Sequence, residues 1–100
     1  MALTEATIER IYERTMQQEF NVKNNNCDNV SNTIGFLIEQ EFDIPTYTVK
    51  APVNTKKHFV CVVPGEFVDG YKDTVFVIID GTLTQFDTAY PDLNITELEK

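Results

Sequence analysis

Three side chains in this sequence carry the chemistry of acyl transfer: the thiol of Cys27, the imidazole of His58 and the carboxylate of Asp80. In such a reaction a thiolate attacks a carbonyl carbon and an imidazole carries the proton. A carboxylate holds the ring in the tautomer that the step requires. Each residue also has an ordinary reading when taken alone. A Cys in a short chain is often a small core residue, a His at a strand start can cap an edge, and Asp before Gly commonly ends a strand in a turn. Order, element type and face agree for all three, and that agreement favours a shared site.

The elements that must position them follow from the spacing of apolar residues. Thr4 is a candidate N-cap, with Leu3 and Ile8 spaced as a hydrophobic staple. Ile8, Ile11, Tyr12, Met16 and Phe20 recur with a helical period, which predicts a first helix over Glu5–Glu19. Asn21 to Asn26 reads as a polar turn. A second helix opens at Cys27 and Asp28, carries Val30, Ile34, Leu37, Ile38 and Phe42 on one stripe, and stops at Ile44-Pro45. Gly35 inside it either costs ~1 kcal/mol relative to Ala or lets another backbone approach closely. Beyond Pro45, β-branched and aromatic runs predict strands over Thr46–Lys50, His58–Val63 and Thr74–Asp80. A turn from Ala51 to Lys57 and a polar loop from Glu66 to Asp73 separate them. The last two strands are apolar almost throughout, as central strands are. The tail, Pro91 to Lys100, places Leu93, Ile95 and Leu98 in a further turn of helix. The fold class expected is α+β, with two helices followed by an antiparallel sheet of about three strands, as one domain over residues 1–100.

On this scaffold the three residues converge. Consecutive strands pair antiparallel by default. With Val63 opposite Val75, His58 falls opposite Asp80 on one face, within hydrogen-bonding reach, and a slip of one residue would part them. Cys27 opens a helix, where unpaired N–H groups and the helix dipole favour thiolate, while the adjacent Asp28 opposes it. The oxyanion is expected at the backbone N–H of Cys27, with an amide from Asn24, Asn25 or Asn26 beside it.

Other chemistries fit less well. Zinc needs four ligands, and His58 and Cys61 lie three apart on a strand, so they point to opposite faces. No metal and no cofactor is expected. The same parity argues against a Cys27–Cys61 disulfide and makes Cys61 a core residue beside Phe59 and Val63. There is no Gly-rich phosphate loop and no Ser-centred elbow.

Composition narrows the partners. Eight Lys and Arg stand against 16 Asp and Glu, a formal charge of −8, which disfavours nucleic acid and anionic membranes. Met1 to Thr7 has neither a basic nor an apolar leader pattern, and two cysteines do not make a disulfide framework. A cytoplasmic, reduced setting is the expectation. The patterning also permits a homodimer through an exposed sheet edge or the loop carrying Phe67 and Tyr71.

The sequence resembles the papain-like superfamily, and within it the transglutaminase-like and papain-fold toxin or deamidase branch. The likeness lies in a Cys opening a helix (Cys27-Asp28-Asn29-Val30-Ser31) and a His opening a strand (His58-Phe59-Val60-Cys61-Val62-Val63-Pro64-Gly65). It continues in an Asp closing the next strand, in Asp80-Gly81-Thr82-Leu83-Thr84-Gln85-Phe86, which looks like the family's Asp-x-Thr-x-x-Gln-Phe ending. The chain departs from the pattern around the thiol, with three asparagines before Cys27 and Asp28 after it. The resemblance implies Cys27 as nucleophile, His58 as base, Asp80 as orienter, and a peptide or protein amide as substrate. Hydrolysis, deamidation and transfer all stay open, as does a non-catalytic binding or regulatory module of the same fold.

Overall fold

Thr4 starts the first helix as its side chain predicts. Its backbone is extended (φ −121°, ψ 162°) and its hydroxyl accepts from the Thr7 N–H at 3.1 Å. The computed structural model describes residues 3–17, 27–53, 56–82, 89 and 91–98. Within these, helix α1 spans Glu5–Met16 and buries Ile8, Ile11 and Thr15. Gln17 is its C-cap, so the helix closes before the expected Glu19, and residues 18 and 19 lie outside the described residues.

Helix α2 spans Cys27–Phe42 and buries Val30, Ile34, Leu37 and Ile38, the stripe read from the sequence. Asp43 ends it with a φ of 56°, in the left-handed region, while its N–H still bonds the Glu39 carbonyl at 3.0 Å. The Glu39 carboxylate then accepts from the Thr46 N–H at 3.0 Å and from its hydroxyl at 3.2 Å. The chain leaving α2 is thereby tied back to the helix just before the sheet begins. Gly35 lies at a close approach, though of side chains and not of backbone. A Cβ there would stand 2.6 Å from Thr46 Oγ1 and 3.6 Å from Cys61 Sγ. On the surface Arg10 and Arg14 of α1 reach Glu41 of α2, at 2.7 and 3.4 Å. These pairs are exposed and contribute little to stability.

The sheet has four antiparallel strands in the order β1-β2-β3-β4: β1 Tyr47–Val53, β2 Lys56–Pro64, β3 Phe76–Asp80 and β4 Asn94–Leu98. The expected α+β arrangement is present with one strand more. That strand corrects the expected helical turn in the tail. Asn94–Leu98 pairs with β3, Ile95 opposite Ile79 and Asn94 opposite Asp80. The ladder supplies every residue of so short a segment with partners, and an isolated turn of helix does not. Most of the expected turn from Ala51 to Lys57 is also strand. β1 runs to Val53 and pairs with β2 back to Lys56. Pro52 is tolerated because β1 is an edge strand. The third strand starts at Phe76 and not at Thr74.

Alternation along β2 and β3 sorts their side chains. Cys61, Val63, Val77 and Ile79 join Val30, Ile34, Leu37 and Ile38 in one core. Residues of the other parity, His58, Val60, Val62 and Asp80, leave from the opposite face. Leu3, fully buried, is pinned by a parallel bridge to Val68, with bonds to Phe67 O at 2.9 Å and from the Asp69 N–H at 2.7 Å. Phe67 and Tyr71 pack against the core. No helix among the described residues is long and apolar enough to cross a membrane.

Candidate functional site

His58 and Asp80 meet through a register different from the expected one. Val63 faces Val77, not Val75, so Asp80 stands opposite Val60. The displacement is two residues, and a shift of two preserves the face. The two side chains become diagonal neighbours, a separation that an imidazole spans. His58 Nε2 lies 2.6 Å from Asp80 Oδ2. His58 is fully buried and Asp80 is 6% exposed, so the bond is shielded from water. An ionised carboxylate only accepts, so Nε2 carries the proton and donates. The bond holds the ring in one orientation.

The second oxygen of Asp80 is also committed. Oδ1 accepts from the Thr82 N–H at 3.0 Å and from its hydroxyl at 3.4 Å. Thr82 is 1% exposed. The loop after β3 therefore holds the carboxylate with Oδ2 turned to the ring. This anchor is absent from the expected site residues. Its signal was present in Asp80-Gly81-Thr82, because Asp side chains commonly bond the backbone two residues on.

Cys27 is the first residue of α2 and is buried, while Asp28 beside it is exposed. One turn later, Ser31 donates its hydroxyl to the carbonyl of Phe59, the residue after His58, at 3.0 Å. The first turns of α2 are thus fastened to β2 beside His58. Among the described residues, no hydrogen bond joins Cys27 to His58. The arrangement is a bonded His58–Asp80 pair with Cys27 on the neighbouring helix start. Asn24, Asn25 and Asn26, the expected oxyanion donors, lie outside the described residues.

Cys61 is a core residue, and both cysteines are free thiols. Burial, reinforced by the charge of Glu39, pushes the Cys61 thiol up to about 12. It stays protonated and inert at neutral pH, so thiol reagents read Cys27 alone. Among the described residues, no three His, Cys, Asp or Glu converge as metal ligands. No family model, curated protein or solved structure matches the chain.

Proposed function

We propose that this protein carries out thiol-dependent acyl transfer at an amide bond, with Cys27 as nucleophile, His58 as base and Asp80 as orienter. The observation that carries this reading is the buried 2.6 Å bond between His58 Nε2 and Asp80 Oδ2. It orients the imidazole through a carboxylate, the base–orienter relation that nucleophilic acyl transfer uses. The order Cys, His, Asp, with Cys27 at a helix start and Asp80 at a strand end, supports the papain-like and transglutaminase-like resemblance, while β2 begins two residues before His58. In the reaction, the Cys27 thiolate attacks the amide carbon while His58 holds the proton taken from the thiol. The tetrahedral oxyanion rests on backbone N–H groups at the start of α2. His58 returns its proton to the leaving amine, and a thioester forms on Cys27. Water or an amine then resolves it, giving hydrolysis, deamidation or transfer. The ring leaves β2 on the face opposite Cys61, and the α2 stripe packs on the Cys61 face, so the reaction requires the thiol to reach past that layer to the ring.

The test is covalent. Incubated with peptides and glutamine-bearing proteins, the wild-type protein is expected to form an acyl adduct on Cys27 that hydroxylamine releases and mass spectrometry locates. Cys27→Ser is expected to abolish it. Unmodified wild-type protein across the panel counts against the reading. A second reading, a non-catalytic binding module of the same fold, is favoured by the packing of α2 on the sheet face opposite the His58 ring. It expects an ordinary thiol and no adduct.

A further inference from the structure

Hydroxyls inside helices usually bond back to the carbonyl four residues earlier. Thr15 does so to Ile11 O at 2.9 Å, and Thr33 to Asn29 O at 2.8 Å. Ser31 does not. It is 2% exposed and gives its proton to Phe59 O on β2, across the layer boundary. The residue four before it is Cys27, on the same face of α2 and one turn, about 6 Å, back along the axis. The residue before its acceptor is His58. One side-chain bond therefore links the turn that carries the thiol to the strand position next to the imidazole.

We infer that Ser31 is a positioning residue for the Cys27–His58 pair. It sets how far the first turn of α2 stands from the His58-Phe59 segment of β2, and so whether the thiol reaches the imidazole. Core packing alone does not set this distance. The buried stripe of Val30, Ile34 and Ile38 packs on Val63, Val77 and Ile79 and fixes the layer spacing. The sliding of one end of the helix over the strand is left to a directional bond. The inference rests on the proposed thiol chemistry and adds to it a residue that touches neither substrate nor the reacting atoms.

The experiment is a cycle of four proteins: wild type, Ser31→Ala, His58→Ala and the double variant, each alkylated with iodoacetamide over pH 5 to 10. Far-UV circular dichroism and thermal melting run alongside. Wild type is expected to exceed His58→Ala near neutral pH. Ser31→Ala is expected to lose that excess by roughly tenfold or more while keeping a native spectrum, and to change nothing in the His58→Ala background. Ser31→Thr, which keeps the hydroxyl, is expected to restore the wild-type pH profile. It is also the variant that decides the matter if Ser31→Ala fails to fold. A Ser31→Ala profile equal to wild type, or an equal change in both backgrounds, overturns the positioning role and leaves the proposed chemistry standing. Coincident wild-type and His58→Ala profiles overturn both.

Discussion

Asp80→Ala is expected to lower the free energy of unfolding by about 3–5 kcal/mol, the usual result of removing one partner from a buried polar or ionic pair. Three donors lose their acceptor in that variant: His58 Nε2, the Thr82 N–H and the Thr82 hydroxyl. His58 is fully buried and Thr82 is 1% exposed, so water does not readily replace the carboxylate. Asp80→Asn keeps an acceptor oxygen for one of these contacts and is expected to cost less, on the order of 1–2 kcal/mol. Urea denaturation reads the difference as a shift in midpoint at constant slope. A loss below about 1 kcal/mol for Asp80→Ala, within the range of an ordinary surface change, contradicts a buried, fully committed carboxylate.

Gly65→Ala is expected to be as severe, through sterics instead of polarity. Gly65 opens a short 3-10 turn (Gly65–Phe67) after β2, and the chain from Val68 to Val75 folds back over it. Its N–H bonds Val75 O at 3.1 Å. A Cβ added at this position would stand 2.1 Å from the Thr74 carbonyl oxygen and 2.5 Å from that of Tyr71. Both are backbone atoms, and the Tyr71 carbonyl is held by the Thr74 N–H at 2.9 Å, so no rotamer change relieves the overlap. The expected loss is about 3 kcal/mol or more, and the loop that sets the β2–β3 register is the part displaced. Gly35→Ala provides the contrast. Its nearest contact is the end of the Thr46 side chain, and Ala recovers ~1 kcal/mol of helix propensity. Thermal melts that rank Gly35→Ala as the more damaging change would show that the loop yields.

Much of the site was legible in the sequence because strands carry side chains with a period of two. His58 and Asp80 were placed on adjacent strands and on one face, and both statements hold although the register assumed for them was wrong. The error of two residues arose in the Glu66–Asp73 loop. The crowding of Gly65 against the Tyr71 and Thr74 carbonyls delays β3 to Phe76, and nothing in the one-dimensional pattern encodes a backbone contact of that kind. Helices were easier. The apolar stripes of α1 and α2 extend over several turns, and Thr4 marks a start that its hydrogen bond makes real.

The tail illustrates where pattern alone runs out. Leu93 and Ile95 suit a strand, Ile95 and Leu98 suit a helix, and five residues contain too few repeats to choose. Pairing with the open edge of β3 decides it. Ala51-Pro52-Val53 reads as part of a turn, but a proline is compatible with an edge strand, and whether a strand lies at an edge is a property of the whole sheet. The roles of Thr82 and Ser31 depend on where neighbouring elements fall. Spacing hints at the first through an Asp and a residue two further on. It hints at the second only through the spacing of four from Cys27 to Ser31.

The central claim is that His58 acts on Cys27, and the rate of Cys27 alkylation by iodoacetamide as a function of pH tests it most directly. Cys61 is silent in this measurement, since its thiol stays protonated to about 12. Mass spectrometry of the modified protein confirms that Cys27 carries the label. The account predicts that wild type reacts appreciably at neutral pH, and that His58→Ala reacts only as the medium becomes alkaline enough to ionise an ordinary thiol, near pH 8.5. Asp80→Asn is expected to lie between them, because the ring remains but is less firmly held. Identical profiles for wild type and His58→Ala at every pH would contradict the account and leave the His58–Asp80 bond as a structural pair in a non-catalytic domain.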